Sequence, residues 1–283
     1  MRRHLVDLAF VVVAIILFCA CGYWRLTAPE WSPWHTANAV VKPQSVKTQS
    51  VYQLFMPLFQ TQSRNPGIGL ASTTRLQSNA DKSDADWYYY YGWCSSPCVP
   101  AILHYRDIVS SCPPTLMLWN EPEVPFTEEQ GWQPITPTLA ALRSQQIRAQ
   151  CPATKLISGN TMQETLWWTD EYLAQAQGGQ ADYIGTHCYT YALAQTCIDI
   201  ITAFRDHFAY AGKPICVTEW NVLLDAYVEA EFPKYMYWLT QNIPCSAVYS
   251  DRQYFYPWDA NIDVSLVDAR GNLTQRGLIF AGR

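Results

Sequence analysis

Two glutamates stand where carboxylates are costly. Glu121 directly follows the apolar run Leu116–Asn120, and Glu219 closes the run Ile215–Glu219. Only 15% of the residues are charged. An acid abutting a segment that should be buried therefore needs a reason, because a buried charge must be paired or used. Paired carboxylates can do general acid–base and nucleophilic work: one gives and takes protons while the other, ionised, attacks. The two lie 98 positions apart (219 minus 121), so only tertiary structure can bring them together. Two more polar segments fall between them. Tyr183–His187 runs into Cys188-Tyr189, and Lys155–Ser158 into Gly159-Asn160. For Asn160 the plain reading, that a strand ends on something polar, is sufficient; for Glu121 and Glu219 it is not.

The elements that must position these residues alternate. Short apolar runs predict strands at Ile68–Ala71, Trp87–Tyr91, Val99–Leu103, Leu116–Asn120, Lys155–Ser158, Tyr183–His187, Ile215–Glu219 and Ala247–Tyr249. Helical spacing predicts helices over Thr138–Gln150, Glu164–Gln177, Thr196–Ala211 and Asp225–Thr240. Buried parallel strands read as short apolar runs, and strand–helix alternation implies a parallel sheet. Eight units in one domain predict an α/β protein, a (β/α)8 TIM barrel, whose chemistry sits at the carboxyl ends of the strands. A doubly wound open sheet is the structural alternative, but no glycine-rich phosphate loop follows the first strand to favour it. Only Gly92–Cys98 separates the second strand from the third, so the early units must be abbreviated.

Composition narrows the chemistry. The 283 residues carry a net charge of −5, which argues against nucleic acid as a partner, since phosphate binding wants a basic patch. Aromatic residues reach 14%, with 12 Trp and 18 Tyr. Their flat faces suit sugar rings or simply fill a core. Trp93, Trp119, Trp220 and Trp258 are candidate platforms; each read singly fits a core residue, and at least one is expected to stack. Ten cysteines are present, two of them, Cys19 and Cys21, in an N-terminal apolar segment. The other eight imply disulfides formed in an oxidising compartment. No Cys/His cluster has zinc spacing, so neither a metal nor a cofactor is expected. Arg2, Arg3 and His4 precede an apolar run ending at Cys21. This makes residues 1–25 a signal peptide or membrane anchor, with a lipid on Cys21 as a third mode of attachment; all three export the remainder. Residues 26–65, rich in Pro, Ser, Thr and Gln, read as a stalk, and 66–283 as the catalytic domain.

At this point the sequence resembles clan A glycoside hydrolases. The segments are Leu118-Trp119-Asn120-Glu121-Pro122 and Val217-Thr218-Glu219-Trp220, with His187-Cys188-Tyr189 between them. Within the clan it is most similar to family 128, the small β-glucanase-type barrels. Trp87-Tyr88-Tyr89-Tyr90-Tyr91-Gly92-Trp93 resembles that family's aromatic second strand, and Val99-Pro100-Ala101-Ile102-Leu103 its third. Family 39 and family 5 barrels are the alternatives that the same features leave open. The resemblance implies a retaining, endo-type hydrolase of β-linked polysaccharide, β-1,3-glucan first, with Glu219 as nucleophile and Glu121 as acid/base. It also implies that Asn120 holds the sugar 2-hydroxyl and that Tyr189 donates a hydrogen bond to Glu219. His187 orients a carboxylate or a substrate hydroxyl, or else is a satisfied core histidine. One departure stands out: many clan members carry an arginine after the second strand, where this chain has Gly92-Trp93-Cys94.

A barrel would also pair the cysteines. Cys112 with Cys151 and Cys216 with Cys245 precede neighbouring strands, Cys188 with Cys197 closes the loop after the sixth, and Cys94 with Cys98 remains. A monomer acting on polysaccharide is expected, with membrane contact only through the N-terminal segment. Two competing readings keep the same fold: a non-catalytic surface barrel that binds carbohydrate, and a transglycosylase using the same site.

Overall fold

Side chains on a strand alternate between its two faces, so a closed barrel sorts each strand's residues into an inner filling and an outer layer. The computed structural model describes residues 68–71, 76–94, 98–103, 107–124, 135–163, 165–175, 180–255 and 260–282. The predicted anchor (1–25) and stalk (26–65) lie outside the described residues. Eight strands follow one another: β1 (Ile68–Ala71), β2 (Trp87–Tyr90), β3 (Cys98–Ile102), β4 (Thr115–Leu118), β5 (Lys155–Thr161), β6 (Tyr183–Thr190), β7 (Ile215–Val222) and β8 (Cys245–Tyr249). They close into a parallel barrel in sequence order, β1 pairing with both β2 and β8. Ala71, Tyr89, Ala101, Met117, Ile157 and Ala247 form a cluster that includes no helix residue, which is the barrel's interior. Leu116 and Leu118, on either side of Met117, instead pack outward.

The helices cover that outer face. They are α1 (Leu76–Ser83), α2 (Pro137–Gln150), α3 (Trp167–Ala174), α4 (Ala194–His207), α5 (Asp225–Asn242) and α6 (Gln275–Phe280). Helix α2 starts because Thr136 caps it, its hydroxyl accepting from the Leu139 N–H, and Pro137 supplies a helix-ready φ at the first position. Its buried residues Ala140, Ala141, Ser144 and Ile147 repeat at helical spacing and meet Leu116, Leu118 and Leu156 together with Trp168 and Tyr172 of α3. On the opposite side, Val217, Trp220 and Val222 of β7 pack with Ile201 of α4 and Phe232, Tyr235 and Leu239 of α5. No helix occurs among the described residues of the β2–β3 and β3–β4 connections, so these units are abbreviated. Among the described residues no helix is long and apolar enough to cross a membrane.

The element ends differ from the sequence expectation in both directions. β4 stops at Leu118 instead of Asn120, because Trp119 turns into the left-handed region (φ 70°). β5, β6 and β7 run past Ser158, His187 and Glu219, because their polar ends stay in the ladder through register shifts. The helix expected over Glu164–Gln177 is shortened to Trp167–Ala174. A hairpin of β9 (Arg252–Phe255) and β10 (Ala260–Asp263) follows β8, which the apolar pattern did not mark. All four expected disulfides form: Cys94–Cys98, Cys112–Cys151, Cys188–Cys197 and Cys216–Cys245. They suit an oxidising environment.

Candidate active site

The carboxyl ends of β4 to β7 are shaped by two bulges. Along β5 and β6 the pairing passes from Gly159↔Gly185 to Thr161↔Thr186, so Asn160 is the extra residue. Along β6 and β7 it passes from Thr186↔Val217 to His187↔Glu219, so Thr218 is the extra residue. A bulge re-aims the side chains beyond it, and here it sets Glu219 directly beside His187. The two extra residues are joined: the Thr218 hydroxyl donates to Asn160 Oδ1 at 2.8 Å. The amide crosses Gly185 of β6, where an added Cβ would lie 1.9 Å from that same oxygen. Only glycine leaves this passage open.

Asn160 also fixes Glu121. Its Nδ2 donates to the carbonyls of Leu118 (2.9 Å) and Trp119 (3.0 Å), and its own carbonyl accepts from the Glu121 N–H (3.0 Å). These bonds hold a turn in which Trp119, Glu121 and Asn160 all have positive φ (70°, 45° and 48°). Such backbone costs on the order of 1–3 kcal/mol per residue and persists only where surrounding bonds over-determine it. The result presents Glu121 half-buried at the end of β4.

Between the two carboxylates lies His187, fully buried. Its Nδ1 is 2.9 Å from Glu121 Oε1 and its Nε2 is 3.5 Å from Glu219 Oε1. Burial opposes a charge on the ring, but Glu219, Glu121 and Glu123 together outweigh it and raise the imidazole above its ordinary range. Glu219 is 3% exposed and accepts three phenolic hydroxyls. Tyr89 (2.7 Å) and Tyr91 (2.5 Å) donate to Oε1, and Tyr189 donates to Oε2. Burial, and after it the Glu219 charge, push all three phenols well above the usual tyrosine range, so they stay protonated donors. The backbone N–H of Tyr189 donates to Gln163 Oε1 at 2.7 Å, which ties the end of β6 to the loop after β5. Glu121, His187 and Glu219 each offer a ligand atom within 4.8 Å of the others; they are the described residues able to hold a cation.

The structure thus brings Glu121, His187, Tyr189 and Glu219 into one cluster. Asn120 sits half-buried immediately before Glu121. Two predicted sugar platforms must be corrected. Trp119 (1% exposed) and Trp220 (0%) offer no face to a sugar. Trp119 is swung by its positive φ into the outer layer beside α2 and α3. Trp220 follows the β7 bulge outward, against Phe232 and Tyr235 of α5 at ring distances of 5.0 and 5.1 Å. Trp93 does keep an accessible surface, and Trp258 lies outside the described residues.

Sequence reasoning missed four contributors: Tyr89, Tyr91, the clamp role of Asn160, and Glu123. For Tyr89 and Tyr91 the signal was available as the two-residue rhythm Trp87, Tyr89, Tyr91 on a strand. Glu123 accepts from the Met162 N–H at 2.5 Å, while its Oε2 is buried without a hydrogen-bond partner among the described residues. Burial pushes its carboxyl up to about 7.

Several solved structures are similar. One is a family 128 (subgroup VI) exo-β-1,3-glucanase from Aureobasidium namibiae, with 15% identity, a TM-score of 0.61, and 78% of this chain and 97% of that one covered. Another is a family 128 (subgroup I) endo-β-1,3-glucanase from Amycolatopsis mediterranei in complex with laminaripentaose, with 16% identity, a TM-score of 0.59, and 76% and 98% covered. A third is a family 128 (subgroup VII) oligosaccharide-binding protein from Cryptococcus neoformans, with 17% identity, a TM-score of 0.53, and 78% and 95% covered. At these identities the likeness shows the barrel fold. No curated protein matches the sequence. Residues 67–279, the whole barrel with its site, match the glycosyl hydrolase catalytic core, and the chain belongs to that family.

Proposed function

We propose that this protein is an exported, family 128-type retaining hydrolase of β-linked glucan, with β-1,3-glucan as the leading substrate. The observation that carries the reading is the spacing of the two acids. A carboxylate oxygen of Glu121 and one of Glu219 lie within 4.8 Å of each other. Retaining enzymes set their carboxyl groups about 5–5.5 Å apart, whereas inverting ones leave room for a water. Glu219 attacks the anomeric carbon while the bond from that carbon to the leaving oxygen breaks. The proton held by the Glu121–His187 pair passes through Glu121 to the leaving oxygen. Water then attacks the same carbon, Glu121 takes its proton, and the bond to Glu219 breaks. His187 serves by sharing charge with both acids, and Asn120 stands next to the acid where a sugar hydroxyl would be held. The β-1,3-glucan reading rests on the activities of the similar proteins. These include both endo- and exo-acting enzymes, so product length decides between the endo mode we adopt and the exo mode. Export follows from the four disulfides and the N-terminal apolar segment.

The test is a polysaccharide panel of β-1,3-glucan, cellulose, xylan and mannan, run with wild type and Glu219→Ala side by side. Wild type should release sugar from β-1,3-glucan, and the variant should lose about 10⁴-fold or more. Equal rates for the two would remove Glu219 as nucleophile. A wild type that binds oligosaccharide but cuts nothing would make this a binding barrel.

A further inference from the structure

The second strand does more than fill the barrel. Trp87, Tyr89 and Tyr91 point inward in alternation, and Gly69 on β1 makes room for them: a Cβ there would lie 2.4 Å from the Trp87 ring. The rings brace one another, Trp87 on Tyr89 at 6.3 Å and Tyr89 on Tyr91 at 5.3 Å. This packing delivers two hydroxyls to one atom, Oε1 of Glu219. Each phenol has a single proton to give. Tyr89 also has the Tyr91 oxygen at 3.4 Å, but the carboxylate is nearer and charged, so both protons go to Oε1. A carboxylate oxygen offers two lone-pair sites, so Oε1 is filled. Oε2 accepts from Tyr189 and keeps one site open.

We propose that Glu219 Oε2 is the atom that attacks the sugar, and that Tyr89 and Tyr91 are positioning residues that hold Oε1 as the non-bonded oxygen throughout the covalent cycle. This rests on Glu219 being the nucleophile. When Oε2 bonds to the anomeric carbon, the leaving oxygen departs with its electron pair and the proton from Glu121. Oε1 becomes an ester carbonyl oxygen, and the two phenol bonds weaken. When water bonds to that carbon, the bond to Oε2 breaks, its electron pair returns to the carboxylate, and both phenol bonds regain the strength of bonds to a charge. The pair therefore makes Glu219 a better leaving group and a milder attacker.

The experiment compares Tyr89→Phe, Tyr91→Phe and the double variant on an aryl β-glucoside with a good leaving group, where breakdown of the glycosyl-enzyme limits turnover. Each lost hydroxyl should lower kcat about tenfold, with kcat/KM held or raised, a lowered KM and a larger pre-steady-state burst. Tyr90→Phe, on the exposed face of the same strand, should leave all of these unchanged. The proposal is overturned if the double variant, with wild-type thermal unfolding, keeps the wild-type burst and KM. It is equally overturned if kcat and kcat/KM fall together with no larger burst, the pattern of lost packing alone. Should the double variant fail to fold, Tyr91→Phe, at the less buried of the two phenols, decides by the same readouts. A wild type that cleaves no glycoside removes the hydrolase reading itself, a result distinct from an active wild type with unaltered variants.

Discussion

The two halves of the site hold the same kind of side chain in opposite ways. Glu219 sits within strand β7 just past its bulge, 3% exposed, with phenols on both oxygens. Glu121 sits on a strained turn, half-buried, with a histidine beside one oxygen and its backbone pinned by Asn160. The difference suits the roles proposed for them. A nucleophile must stay ionised and immobile, which many fixed donors achieve. An acid/base must lose and regain a proton, so it needs a titratable neighbour and access to water, and rigidity has to come from the backbone instead.

Removing the acid should break this contrast most sharply. Glu121→Ala should lose about 10²–10⁴-fold on glucan, yet little on an aryl glucoside whose leaving group needs no proton. Steady-state kinetics on the two substrates check this, and equal losses would mean that Glu121 is not the proton donor.

The clamp comes next. Asn160→Ala frees the carbonyls of Leu118 and Trp119 and the Thr218 hydroxyl together. It should cost about 2–3 kcal/mol of stability, read by denaturant unfolding. Activity on poor leaving groups should fall more than on good ones, because Glu121 loses its placement before Glu219 does. Losses that do not depend on the leaving group would detach Asn160 from the acid side.

How far was this legible in the sequence? Glu121 and Glu219 stood out because a carboxylate after a buried run has few explanations. The cysteine pairs followed once the strands were ordered. The platforms at Trp119 and Trp220 failed because their direction is set by a left-handed turn and a bulge, and neither leaves a mark in apolar periodicity. Asn160 went unrecognised for the same reason: its role exists only because Gly185, 25 positions on (185 minus 160), lets its amide reach β7. Tyr89 and Tyr91 showed as an aromatic strand, but the atom they serve lies on β7, across the barrel interior.

The smallest effect on turnover concerns Glu123, which lies near the acid half and carries the cost of its burial. Its carboxyl titrates near 7 in the fold against an ordinary 4.5. The folded protein thus keeps a proton that the unfolded chain gives up. The associated stability is complete below about 4.5, declines as pH rises toward 7, and is flat beyond. Glu123→Gln should remove that decline, becoming more stable than wild type by up to about 3 kcal/mol at pH 8, while keeping an oxygen for the Met162 N–H. Thermal unfolding from pH 4 to 8 checks it, and parallel curves for the two proteins would contradict it.

The central claim, that Glu219 bonds covalently to the sugar, is tested most directly by trapping. Active enzyme is incubated with a 2-deoxy-2-fluoro-β-glucosyl donor carrying a good leaving group, digested and mapped by mass spectrometry. A single fluoroglucosyl adduct on Glu219 is expected, formed also by Glu121→Ala and released slowly by water. An adduct on another residue, or full turnover on glucan with no adduct and with inverted product configuration, would contradict it.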